Sequence, residues 1–134
     1  MIRTISQFFH EPVDYEECFI LEGTRNRFIW QARPTRFSTD NTLASVKFNY
    51  DYALKNRHRI VGWLHNHPNM PASPSSTDRT TMHAWFFTLG KPLVCCIYGS
   101  DGLKAHWYMD DENSPVEKRV MYFNGRLFGL TPRK

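Results

Sequence analysis

His65 and His67 stand one residue apart, and Asp78 follows the second histidine by eleven positions. Between His67 and Asp78 runs a segment of prolines, serines and small residues, Pro68-Asn69-Met70-Pro71-Ala72-Ser73-Pro74-Ser75-Ser76-Thr77. Two neutral imidazoles and one carboxylate make a donor set suited to Zn²⁺. Three protein ligands leave a fourth position for water, whose pKa zinc lowers toward ~7. With a second carboxylate close by to accept that water's proton and hand it on, this is the chemistry of a hydrolase.

Positioning such a set takes two elements. Ile60-Val61-Gly62-Trp63-Leu64 reads as a strand running into the histidines. Side chains at i and i+2 of a strand share a face, about 6.5–7 Å apart, so two imidazoles can lean toward one ion. Asn66 then points to the opposite face and takes no chemistry. Pro68 cannot continue a strand ladder and turns the chain. Thr77 reads as a helix N-cap and Asp78 as the opening of a helix to Leu89. Met82, Trp85, Phe86 and Leu89 form its buried stripe, and Gly90 closes it. His83 points away from the ligand side of that helix. The remaining serines and threonine of the loop read as turn and cap residues.

His-x-His-Pro, a Pro-Ser pair and Asp78 together resemble the JAMM motif of MPN-domain metallopeptidases, whose best-known members cut isopeptide bonds to ubiquitin or ubiquitin-like proteins. Rival families fit poorly. There is no His-x-His-x-Asp-His run of a metallo-β-lactamase, and no Glu within the next thirty residues as a cupin needs. The resemblance implies an α/β fold of the MPN (JAB) type, a curved mixed β-sheet flanked by helices. It implies His65, His67 and Asp78 as ligands of one Zn²⁺. It also implies Ser75, three residues before Asp78, as the hydroxyl that holds the oxyanion. The family's catalytic glutamate sits at the start of the first strand, in a pattern like Glu-x-Cys-Gly-Leu-Leu-x-Gly. Glu16-Glu17-Cys18-Phe19-Ile20-Leu21-Glu22-Gly23 places Glu16 there, with Phe19 in place of the family glycine. The pattern alone leaves Glu17 and Glu22 open, and strand alternation puts Glu16 and Glu22 on one face.

The resemblance further implies an isopeptidase or peptidase acting after the C-terminus of a ubiquitin-like protein or its conjugate. Small stand-alone relatives occur in bacteria beside ubiquitin-like activating and conjugating enzymes, some in antiviral defence systems. A sulfur-carrier protein or small peptide is a second substrate class. A non-catalytic MPN scaffold is the alternative of a different kind. A substrate tail would lie extended beside an exposed strand, paired through its main chain.

At 134 residues, 41% hydrophobic and 15% aromatic, the chain reads as one domain over residues 1–134 with a real core. The net charge of +4 is spread over scattered basic residues, which argues for a solvated surface and against nucleic acid. Cys18, Cys95 and Cys96 lie in apolar runs and read as buried, reduced thiols. No apolar run reaches the ~20 residues of a membrane span and no signal-peptide core opens the chain, so the expectation is a cytoplasmic protein without membrane contact.

The other elements follow from local pattern. Ile2, Ile5, Phe8 and Phe9 have near-helical spacing. Strands are expected at 18–21, 27–32, ended by Arg33-Pro34, and 46–48, with a loop over 35–46. Asn49 caps a short helix through Tyr50–Leu54, ended by Asn56-Arg57-His58. Pro92–Tyr98, apolar throughout, reads as a central strand covered on both faces. Asp101-Gly102 marks a hairpin into a strand over 103–109, in which His106 packs rather than ligates. Phe123, Leu127, Phe128 and Leu130 are expected to pack back onto the body.

Overall fold

A computed structural model describes residues 18–36, 50–67, 70–109 and 115–132. The strand carrying the histidines, β3 (Ile60–Asn66), lies inside an eight-stranded sheet. It pairs antiparallel with β1 (Cys18–Arg25) on one side and parallel with β4 (Leu93–Gly99) on the other. Beyond β1 come β2 (Ile29–Arg36), β8 (Arg126–Leu130) and β7 (Val120–Phe123); beyond β4 come β5 (Gly102–Tyr108) and β6 (Val116–Lys118). The one parallel pair among the described strands follows from connectivity. Helix α2 (Ser76–Leu89) carries the chain from the end of β3 back to the start of β4, a crossover that only parallel strands require.

Every residue of β3, and Leu93 through Ile97 of β4, is buried, as the apolar run 92–98 requires of a doubly covered strand. Two apolar clusters account for the two faces. One joins Ile20, Trp63, Cys95 and Ile97 to Ala53 of helix α1 (Tyr50–Lys55) and to Met82, Trp85 and Leu89 of α2. Trp63 and Trp85 meet edge to face at 4.5 Å between ring centroids, which ties α2 to β3. The other cluster contains no helix residue: Leu21, Trp30, Leu64, Val94, Trp107 and Leu127 are closed over by Val120 and Tyr122 of β7. Both described helices therefore lie on one face, and the curved sheet buries the other against itself.

Gly62 has a steric reason. A Cβ there would fall 1.8 Å from the Val94 carbonyl oxygen, so a side chain would pry β3 from β4.

Several expectations need correction: β1 runs past the expected 18–21 to Arg25, and β2 begins at Ile29 and not at 27. β2 does not end at Arg33-Pro34 but runs to Arg36. β8 pairs with β2 only from Ile29 to Ala32, so Pro34 lies beyond that partner and its missing N–H costs no ladder bond. Residues 35 and 36 thus leave the expected loop. The helix over the second half of the metal loop begins at Ser76 with Ser75, not Thr77, as N-cap. Of the tail's apolar residues, Leu127 is buried, but Phe123 and Leu130 are 72% and 68% exposed. Residues 115–132 of the tail form three strands. The expectations for residues 1–17 and 37–49, including a strand at 46–48 and the Asn49 cap, lie outside the described residues. Among the described residues no helix is long and apolar enough to cross a membrane.

Candidate metal centre

β3 delivers His65 near its end, in register with Cys18 of β1 and Ile97 of β4. His67 follows just past the strand, held because its backbone N–H still donates to the Tyr98 carbonyl at 2.9 Å. The two imidazoles share a side, 5.0 Å between centroids. Asp78 comes from the first turn of α2, where it has two tasks. As the third helical residue its Oδ2 accepts from the Ser75 N–H at 2.9 Å, while the Ser75 hydroxyl accepts from the Asp78 N–H at 3.0 Å. This reciprocal capping box fixes the carboxylate in direction as well as place.

The same carboxylate meets both histidines. His67 Nε2 lies 2.9 Å from Asp78 Oδ2, and His65 Nε2 lies 3.5 Å from Asp78 Oδ1. One ligand atom from each of the three residues falls within 4.8 Å of the others, and all three side chains are buried. The structure thus brings together the three residues expected as ligands.

Protonation states suit a cation. Burial outweighs the pull of Asp78 and holds the His65 ring down at about 4, so it is neutral at physiological pH. Burial pushes the Asp78 carboxyl up, but the His67 hydrogen bond, His65 and the Ser75 N–H together overcome this and hold it at about 2. The His67 ring has an oxygen at each nitrogen. Its Nδ1 lies 2.9 Å from the Pro71 carbonyl oxygen and its Nε2 2.9 Å from Asp78 Oδ2, so both ring nitrogens face oxygen acceptors. A neutral imidazole has one N–H and satisfies only one of these. The imidazolium form donates from both nitrogens; with a proton on Nδ1 only, a metal ion at Nε2 would take the second proton's place between ring and carboxylate. Two imidazoles and a carboxylate fit a divalent ion of borderline softness.

Other groups border this set without joining it. Cys95 Sγ lies 3.5 Å from His65 Nε2, yet it is outside the convergent three, and burial pushes its thiol well up, which keeps it protonated. Cys18, Cys95 and Cys96 are all buried and none is in a disulfide, as expected. His106 is not a ligand: its Nε2–H donates to the Ala72 carbonyl at 2.7 Å, gripping the metal loop. No local pattern in the sequence marks that role, because the partners are 34 residues apart. His83 is half-buried, packs edge-on to Tyr108 and is not among the convergent ligand atoms. Asn66 is buried and assigned no chemistry.

Of the three candidate glutamates, Glu16 and Glu17 lie outside the described residues. Glu22 can be set aside. It stands opposite Ile60, five residues along β3 from His65, or roughly 16 Å at the rise of a strand. There it accepts from the Tyr52 hydroxyl and pairs with Arg59.

Sheet order, crossover helix and the His-His-Asp cluster at the end of β3 together describe a JAB-type domain. The chain belongs to the family of prokaryotic homologs of the JAB domain, whose model matches residues 3–113. The fold is similar to the solution structure of protein DSY2949 from Desulfitobacterium hafniense, with a TM-score of 0.51 and 17% identity over 81% of this chain and 79% of that one. No curated protein matches the chain.

Proposed function

We propose that this protein is a zinc-dependent isopeptidase or peptidase that cleaves after the C-terminus of a ubiquitin-like protein. The observation that carries the reading is the convergence of His65, His67 and Asp78, with one donor atom of each within 4.8 Å of the others, in a JAB-family fold. A zinc ion held there would supply Lewis acidity and a water acidic enough to act at neutral pH. The chain's own residues do the rest. Glu16 takes the proton of the attacking water and returns it to the departing amine, a role supported by its position two residues before Cys18, the register partner of His65. Ser75 is exposed and its oxygen accepts from the Asp78 N–H, which leaves its own proton to donate to the tetrahedral oxyanion.

The two tasks of Ser75 separate by substitution. Ser75→Ala should lower thermal stability by ~1 kcal/mol through the lost cap and raise the barrier by ~3 kcal/mol through the lost oxyanion donor. Ser75→Thr should keep most of both. Equal loss of stability and activity in the alanine variant would confine Ser75 to capping.

The test of function is incubation of the full chain with a ubiquitin-like protein fused through its C-terminus to a reporter, with and without a chelator. Chelator-sensitive cleavage, reduced at least ~100-fold in Glu16→Gln, is the expected result. Zinc bound without turnover across ubiquitin-like, sulfur-carrier and short-peptide substrates would instead favour a scaffold of the same fold.

A further inference from the structure

The loop between His67 and Asp78 is held at one point from both sides. The Pro71–Ala72 peptide unit accepts at its oxygen from His67 Nδ1–H at 2.9 Å and donates from its N–H to Asp101 Oδ1 at 2.7 Å. In a planar peptide these two groups point in opposite directions. Asp101 carboxylate, peptide unit and His67 ring therefore form one continuous chain of hydrogen bonds that ends at the ligand nitrogen Nε2. Asp101 sits in the tight turn between β4 and β5, with Lys104 Nζ 2.9 Å from its other oxygen. The loop and the turn press close together. The Ser100 N–H donates to the Met70 carbonyl at 2.8 Å, and a Cβ on Gly99 would lie 2.5 Å from the Ala72 nitrogen.

We infer that Asp101 is a positioning residue of the metal centre, acting on His67 through the intervening Pro71–Ala72 peptide. A carboxylate that accepts directly from a metal-binding histidine fixes its tautomer and raises its basicity as a ligand. Here the carboxylate acts one peptide further out. A charge-assisted bond at the Ala72 N–H draws that amide's electrons toward the carbonyl oxygen, which then accepts more strongly from Nδ1–H. This bond holds the Nδ1 proton and the orientation of the ring, so that Nε2 is the atom facing Asp78. The β4–β5 turn, remote in sequence from the His-x-His motif, thus becomes part of the site.

This inference rests on the metal reading, and two measurements keep the two apart. The first uses the metal-free full chain and follows the His67 ring by ¹⁵N–¹H NMR. Asp101→Ala should shift the Nδ1–H resonance upfield as that bond weakens, whereas Asp101→Asn, which still accepts from the Ala72 N–H, should lie between. The second is zinc affinity by chelator competition. Asp101→Ala should weaken it about tenfold, the low end for outer-shell partners because a peptide intervenes, with Asp101→Asn again between. Ring signals unchanged in Asp101→Ala, or zinc affinity within about twofold of the unsubstituted chain, would overturn the role of Asp101. An unsubstituted chain that binds no zinc, with the ring signals shifting as described, would overturn the metal reading alone.

Discussion

Exchanging Asp78 for Ala should weaken zinc binding by about a hundredfold to a thousandfold, because one of three protein donors is lost from a site whose binding energy is shared among few ligands. It should also loosen the start of α2, since the Ser75 N–H loses its acceptor. Asp78→Asn separates these effects. An amide oxygen still accepts from the Ser75 N–H, so the helix start should keep most of its stability. The negative charge that holds both imidazoles is gone, so zinc binding should fall nearly as far as in the alanine variant. Isothermal titration gives the affinity and thermal unfolding of the metal-free chains gives the stability. Zinc affinity preserved in Asp78→Asn would mean that the carboxylate serves the helix and not the ion.

The metal-free protein should lose stability on mild acidification. The folded chain holds the His65 ring at about 4 against an ordinary value of 6.5. Between those two pH values the unfolded chain carries a proton that the folded chain refuses, so stability rises with pH across that window and is lost as pH falls through it. The shift corresponds to roughly 3 kcal/mol at full effect. Asp78 acts lower and in the same direction: its folded value of about 2 lies below the ordinary 3.8, so its contribution is present above 3.8 and lost as pH falls toward 2. Urea unfolding between pH 7 and 4 measures the first effect, and His65→Gln should flatten it. A urea midpoint independent of pH over that range, or a pH dependence untouched by His65→Gln, would contradict the burial of a neutral ring.

The site was legible in the sequence to the extent that its chemistry is local. His65, His67 and Asp78 declare themselves by type and spacing, and Ile60–Leu64 declares the strand that must carry two of them. The N-cap was misplaced because Ser75, Ser76 and Thr77 are all good caps. Reciprocity decides among them. Ser75 stands three residues before Asp78, so serine and aspartate can each accept from the other's backbone N–H, and Thr77 cannot join that exchange. What the sequence hides is long-range. The Asp101 contact with Ala72 spans 29 residues and that of His106 spans 34, and neither follows from propensity or periodicity. The three C-terminal strands were hidden for another reason. β6 has three residues and β7 four, too short for alternation to show, and the apolar residues that face outward there read as core. Pro34 misled as a strand end because its tolerance depends on which partner stops beside it, a fact of the sheet and not of the segment.

X-ray absorption at the zinc edge of the metal-loaded full chain addresses the centre most directly. Two imidazole nitrogens and oxygen donors, with no sulfur, in a protein retaining one zinc per chain after gel filtration is the expected spectrum. Failure to retain zinc, or a sulfur scatterer showing that Cys95 has taken the place of Asp78 or water, would contradict the account.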